Sequence, residues 1–350
     1  MRLGTGTSLC LAWMLAVSGG MSSDKVPGTD QKSAKKGAAV PATPRMGIKT
    51  PGVLIPFASL KAEIEFPAPA NPDWMVLADS VYLPDAPKSA LDRISPRTPD
   101  AKFLDPIGGL KQPCGGVVNA FGSLWVPVCE EKAVVRVDPK TAKSTAKLSF
   151  GTNGARGAIA ATADSIWMLT DTRTTMSRID PVANEVVSEF RLPADCAGLT
   201  FAEASLWVAC PQENRVLRIA PESGLVDKSI EVSPQPKTLV AAENSIWVLC
   251  QKEGKVERID PKTNKSTATI DLGVPGVDGD LGAGESFIWV TQAGFPLTRI
   301  DPRIDKVVQQ FYGDGGGAVR AGGGFVWLSN VGKGTLWKID SRRILATLAE

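Results

Sequence analysis

Short runs of alternating apolar and polar residues, broken by Gly, Pro, Asn and Asp, follow one another from about Leu54 to the C-terminus. That is the pattern of strands with one buried face. Ser245-Ile246-Trp247-Val248, followed by Lys255-Val256-Glu257-Arg258-Ile259-Asp260-Pro261, defines the unit. Measured from the aromatic, a basic residue followed by Ile or Val comes ten or eleven positions later. Tyr82 leads to Arg93, Trp125 to Arg136, Trp167 to Arg178, and Trp207 to Arg218. Trp247 leads to Arg258, Trp289 to Arg299, and Trp327 to Lys338. The aromatics stand 43, 42, 40, 40, 42 and 38 residues apart. A period near 40 with several short strands per unit marks a radial β-repeat. The expected fold is all-β: a single closed seven-bladed β-propeller of four-stranded antiparallel blades, over residues 52–350.

In the fifth unit the strands are expected near 238–242, 245–249, 255–259 and 266–272. Asp260-Pro261 opens the turn between the third and fourth. Proline presets φ there, and the aspartate accepts from turn amides. The device repeats at Asp138-Pro139, Asp180-Pro181 and Asp301-Pro302, and in altered form at Ser95-Pro96, Ala220-Pro221 and Asp340-Ser341. Because these aspartates recur once per unit, they read as turn caps around a rim and not as an acid/base set. The tryptophans read as packing between neighbouring blades, and the repeated Arg or Lys as architecture. Ser59 to Phe66 alternates like the last strand of each later unit. It is expected to close the ring by joining the last blade beside, or in place of, Ile344 to Ala349.

The ends differ in character. Residues 1–20 read as a signal peptide: Arg2, an apolar run from Leu9 to Val17, then Ser18-Gly19-Gly20, too short to span a bilayer comfortably. Residues 21–51, rich in Ser, Lys, Gly, Ala and Pro, read as a flexible leader. Of 39 basic and 37 acidic residues, the first 50 positions hold seven and two, which leaves the rest at a net of −3. A body so nearly neutral argues against nucleic acid as a partner.

The chain contains no histidine, which removes the commonest general base and the commonest transition-metal ligand together. No cofactor, metal or catalytic residue is expected. Five cysteines follow the signal segment, and the expected disulfides are Cys114–Cys129 and Cys196–Cys210, within blades. Cys210–Cys250 is the rival pairing, and the odd count leaves one thiol. Asp278-Gly279-Asp280 with Glu285 has oxygen ligands for Ca²⁺ but no complete loop motif. The glycine runs at 315–317 and 322–324 lack the lysine of a phosphate loop.

Ser245 to Val248 and Val256-Glu257-Arg258-Ile259-Asp260-Pro261-Lys262-Thr263 resemble the repeat of bacterial seven-bladed propellers. These are the YVTN and YncE-like proteins and the streptogramin (virginiamycin B) lyase group. The resemblance spans about Asp73 to Glu350. It implies the propeller fold, and for the lyase group a metal-assisted elimination through histidines at the central mouth, of which this sequence has none. No catalytic position is carried over.

The leading expectation is a monomeric, exported, non-catalytic propeller, periplasmic or secreted, that binds a small ligand or protein partner at its mouth. A carboxylate-based, metal-assisted lyase or hydrolase is the alternative, and YncE-like DNA binding the third reading. Individuality should rest on non-repeated residues of the loops before first strands and between second and third strands. Those loops carry Arg156, Asp171, Arg173, Asp195, Glu213, Lys237, Lys252, Asp278, Asp280 and Asp314. Arg156, Asp195, Lys237, Asp278 and Asp280 are the candidate ligand-binding set.

Overall fold

Strands whose every residue is apolar or small can be buried on both faces only if other sheets cover them. Ser123–Val128, Ser205–Cys210 and Ser245–Cys250 are buried along their whole length. The outer strands alternate instead, as Glu185–Arg191 does between exposed and half-buried residues. A computed structural model satisfies both patterns with seven sheets arranged as blades. It describes residues 46–97, 100–149, 158–170, 174–193 and 195–348.

From the inner strand outward, blade 1 comprises Val76–Leu77, Val81–Asp85, Ala90–Ile94 and Phe103–Gly108. Blade 2 comprises Val118–Ala120, Ser123–Val128, Ala133–Asp138 and Lys143–Ser149, and blade 3 Ile159–Ala161, Ile166–Thr170, Thr175–Asp180 and Glu185–Arg191. Blade 4 is Leu199–Ala202, Ser205–Cys210, Arg215–Ile219 and Val226–Glu231; blade 5 is Pro236–Ala242, Ser245–Cys250, Lys255–Asp260 and Lys265–Asp271. Blade 6 holds Gly279–Gly284, Phe287–Gln292, Phe295–Asp301 and Lys306–Tyr312. Blade 7 holds Val319–Gly322, Phe325–Asn330 and Thr335–Asp340, with Ile64–Pro67 as its outer strand. The protein is a seven-bladed β-propeller.

Register explains the spacing from aromatic to basic residue. Trp247 lies directly opposite Arg258, as Trp125 does Arg136 and Trp207 does Arg218. Each guanidinium covers its ring, at 5.0 Å for Arg258 and 5.2 Å for Arg218. Each of these indoles is buried, which stabilises the body by roughly 4–6 kcal/mol as an upper estimate. Its N–H donates to the carbonyl five residues back, Ala202 for Trp207 at 3.0 Å and Ala242 for Trp247 at 3.1 Å. That carbonyl precedes a two-residue hairpin turn with both φ angles positive, Glu203-Ala204 and Glu243-Asn244.

The repeated arginine and the repeated Asp-Pro turn prove to be two ends of one joint between blades. Arg136 donates to Pro181 O (2.7 Å) and Asn184 Oδ1 (2.9 Å) of the next blade's turn. Arg218 reaches Pro261 O (2.7 Å) and Asn264 Oδ1 (2.9 Å), and Arg258 reaches Pro302 O (2.8 Å) and Asp305 Oδ1 (2.9 Å). Arg93 reaches Pro139 O (2.8 Å), and Lys338 spans the ring junction to Pro96 O (3.1 Å). Nε of Arg136, Arg178, Arg218 and Arg258 is held by a serine of its own blade: Ser123, Ser165, Ser205 and Ser245. The turn aspartates also cap: Asp138, Asp180 and Asp260 accept from the amide two residues on at 2.7–2.8 Å.

The expected N-terminal segment does close the ring on blade 7, but the details around it differ. Phe57–Ser59 is a 3-10 turn, so the closing strand begins only at Ile64. It takes the outer place in blade 7, antiparallel to Thr335–Asp340. The C-terminal segment, for which a strand was the alternative, is a short helix, Ser341–Ala346, capped by Asp340. Ahead of the closing strand, Leu54–Pro56 adds a fifth, parallel strand to blade 6. Gly47 and Ile48, inside the stretch read as leader, are bonded to Gly273 O (2.7 Å) and Gln310 Oε1 (2.8 Å). The signal segment and the leader up to residue 45 lie outside the described residues. Among the described residues no helix is long and apolar enough to cross a membrane.

Candidate functional site

Inner strands run outward from one face, so the loops before them share that face with the loops joining second and third strands. At this face the start of every inner strand borders a central cavity of about 280 Å³, lined from all seven blades. Its wall is uneven. Trp74, Val76, Val117, Ile159 and Leu199 make the side from blades 1–4 apolar. Lys237, Asp280 and Arg320 place charge on the side from blades 5–7. Glycines 115, 116 and 198 also line it, bringing backbone to the surface with no Cβ in the way.

Lys237 forms an ion pair with Asp278 across blades 5 and 6 at 2.5 Å, and Gln251 Nε2 also donates to Asp278. The Asp278 side chain is two-thirds exposed. Asp280 is largely buried and joins blades 6 and 7. It pairs with Arg320 at 2.5 Å and accepts from Val319 N at 3.0 Å, while its own N–H donates to Thr291 Oγ1 at 3.2 Å. Thr291 Oγ1 in turn donates to Gly317 O.

Two further cavities adjoin the channel on this face. One, about 270 Å³, lies over blades 5–7 and is lined by Asp73, Lys237, Asp278, Gly279, Gln292 and the glycines 315–317. Gln292 is buried; its Nε2 donates to Val274 O at 3.0 Å, and its Oε1 has no partner among the described residues. The other, about 310 Å³, is walled by Pro72, Trp74, Pro84, Pro113 and the Cys114–Cys129 disulfide. Cys196 and Cys210 form the second disulfide, and the Cys250 thiol is free and buried. Burial pushes the Cys250 thiol well above its usual range, and the nearby Glu257 carboxylate adds to this. Two disulfides fit an oxidising compartment.

Of the residues singled out from sequence, Lys237, Asp278 and Asp280 are therefore brought together at the mouth. Asp195 sits in the loop before blade 4 with φ of 60° and is not among the residues lining these cavities. Arg156, Asp171 and Arg173 lie outside the described residues. The Ca²⁺ grouping does not assemble. Asp278 and Asp280 are engaged by Lys237 and Arg320, whereas Glu285 accepts from Gly324 N (2.9 Å) at the far end of Gly279–Gly284. That strand separates them by about 20 Å. Among the described residues no group of three or more His, Cys, Asp or Glu could hold a metal ion.

Sequence reasoning missed Asp73, Trp74, Gln292 and Arg320. Two of them carry a signal in repeat phase. Trp74 stands eight residues before Tyr82, where it belongs to no repeated position. Arg320 lies opposite Trp327, a place filled by Val118, Ala160, Thr200, Val240 and Gly282 in blades 2–6.

No family model matches the chain, and no curated protein sequence matches it. Solved structures do. A streptogramin B lyase is 16% identical, covering 79% of this chain and 96% of its own, with a TM-score of 0.66. Virginiamycin B lyase from Staphylococcus aureus is 15% identical over 79% of this chain and 97% of its own, at 0.67. A chain of a mitotic checkpoint complex is 12% identical over 85% of this chain and 99% of its own, at 0.65. At such identities the shared property is the fold.

Proposed function

We propose that this protein is an exported, non-catalytic propeller, periplasmic or secreted, that binds a small polar ligand or a protein partner at its central mouth. The carrying observation is the channel cavity itself. All seven blades line it, and the charges of both signs at its rim sit on non-repeated positions. Lys237 and Asp278 pair between blades 5 and 6, which the Arg258 joint already holds. Carboxylates at the rim oppose a polyanion such as nucleic acid. The Staphylococcus aureus lyase was also solved as a catalytically inactive histidine-to-alanine variant with quinupristin. A chain with no histidine cannot run chemistry that depends on one, which supports binding over elimination.

The test is a thermal-shift screen of small polar and zwitterionic compounds on the protein without residues 1–20. Hits are then titrated against Lys237→Ala, Asp278→Ala and Asp260→Ala. The mouth variants are expected to bind about tenfold more weakly or worse, with the turn variant unchanged in affinity. Loss of affinity confined to a folded Asp260→Ala would put the site elsewhere.

A further inference from the structure

The place opposite the repeated aromatic is small or aliphatic in six blades: Val76, Val118, Ala160, Thr200, Val240 and Gly282. In blade 7 it is Arg320. Two residues earlier stand Gly116, Ala158, Gly198, Thr238 and Ala318 in five blades, but Trp74 in blade 1 and Asp280 in blade 6. The three exceptions fall on three adjacent blades, and all of them border the channel cavity. Arg320 is engaged along one edge only. Its Nη1 donates to Asp280 Oδ2 at 2.5 Å and to Val319 O. Nε and Nη2, the donors of the other edge, have no partner among the described residues, and the side chain is 29% exposed. The ion pair with Asp280 links blades 6 and 7, where Arg299 reaches no turn, but Nη1 alone serves that link.

A planar fork of two N–H donors matches the two oxygens of a carboxylate. The cavity also offers an apolar wall. From blades 1–4 it is lined by Trp74, Val76, Val117, Ile159 and Leu199 and otherwise by glycine and alanine alone. We propose that the channel binds a compact carboxylic acid with a flat apolar body. The carboxylate lies on the Nε–Nη2 edge of Arg320, and the body lies against Trp74 and the aliphatic wall. A volume of about 280 Å³ suits one or two rings, near the lower end of small-molecule sites at about 300–1,000 Å³. An ammonium group in the same place would meet Arg320 itself, since Asp280 already accepts from Arg320 and from Val319 N. Lys237 is engaged by Asp278, so recognition of the acid falls to Arg320. This deepens the reading of the mouth as a binding site and rests on it.

The experiment is calorimetric titration of the protein without residues 1–20. The probes are phenylacetate and cinnamate, each beside its neutral amide, and phenethylamine. At least one acid should bind, with its amide and phenethylamine about tenfold weaker or worse. Arg320→Lys keeps the charge but loses the fork, and should weaken the acid about tenfold. Trp74→Leu should weaken it too, whereas Asp260→Ala should leave it unchanged. Melting curves check that each variant folds. The head-group comparison on the unsubstituted protein decides the matter if Arg320→Lys does not. Failure of both acids to bind, an amide or amine that matches its acid, or unchanged affinity in a folded Arg320→Lys overturns the proposal. If the acids fail while another ligand is lost in Lys237→Ala, only this inference falls. If every ligand found ignores the mouth variants, the binding-site reading falls with it.

Discussion

Blades 2 and 5 and blades 6 and 7 are built from the same repeat but are joined by different physics. Arg136 and Arg258 each use Nε for a serine at home and Nη1 for the turn of the next blade. In blades 6 and 7 the serine is replaced by Phe287 and Phe325, and the cation lies over the ring instead, at 4.3 Å for Arg299 and 4.0 Å for Lys338. Arg299 has no Pro carbonyl ahead of it, because the next turn is Asp340 leading into a helix. Its Nε has no partner among the described residues, and burial pushes the guanidinium down to about 10. What holds this side is a strap from the N-terminus. Gln310 ties Ile48 to Leu272 O, Phe57 stacks on Trp337 at 4.9 Å, and Ile64–Pro67 completes blade 7. Gln309 donates to the carbonyls of Ile344 (2.9 Å) and Thr347 (2.6 Å). A joint repeated every 40 residues serves where one blade follows another. Where the chain ends meet, Lys338 still reaches Pro96 O, and contacts such as that of Gln310 with Ile48, 262 residues apart, reinforce it.

The largest expected effect tests the strap. Phe57 is buried among Ile55, Leu60, Leu297 and Phe311, so Phe57→Ala should cost about 3–5 kcal/mol. Urea unfolding should show the loss, and limited proteolysis should cut first in blades 6 and 7. First cleavage in blades 2–5 would mean that the strap is not what secures its neighbours.

Next come the disulfides, carried by blades 2 and 4 and closing sequence separations of 15 and 14. The paired change Cys196→Ala with Cys210→Ala should lower stability by about 3 kcal/mol in the chain-entropy model. Mass mapping under non-reducing conditions should find Cys250 unpaired.

The arginines give the sharpest contrast. Arg258→Met leaves Ser245 Oγ, Pro302 O and Asp305 without their donor and should cost about 1–3 kcal/mol. Arg299→Met removes a buried charge with an unpartnered nitrogen and should be neutral or stabilising by about 1 kcal/mol. Equal losses measured by chemical denaturation would refute the distinction between the two joints.

The smallest effect is on acid stability. Turn amides hold the carboxyls of Asp138, Asp180 and Asp260 below the usual range, led by Lys140, Ala183 and Lys262. A folded-state value below the unfolded one, near about 4, means that each stabilises above that pH. The contribution fades as pH falls through the folded value. For Asp301 and Asp340 the leading cause is the side chain of Arg303 or Arg342. Asparagine substitution should therefore flatten the acid-unfolding profile in both groups. Added salt should blunt the effect at Asp301 and Asp340 more than at Asp260, as read by acid titration of far-UV circular dichroism at two ionic strengths.

Blade number, strand order and the place of each repeated tryptophan were legible because they rest on local periodicity, which recurs seven times. The turn aspartates were legible as caps for the same reason. The joint between blades was not: Arg218 and Asn264 are 46 residues apart, and only ring geometry brings them together. At the mouth, Lys237, Asp278 and Asp280 could be selected as loop charges outside the repeat. Trp74 and Arg320 were equally non-repeated, but comparison of residues at equal phase is needed to notice them. Gln292 could not be found from sequence, since an acceptor without a partner is a property of its surroundings.

The sequence by itself thus determined the repeat, because alternation and turn chemistry act over a few residues and each copy reinforces the others. Only the tertiary structure decided how the ring closes and which charges pair. Those outcomes depend on segments distant in the chain, such as Ile64 beside Lys338 and Asp280 beside Arg320. Their contact free energies exist only once the blades have come round to meet.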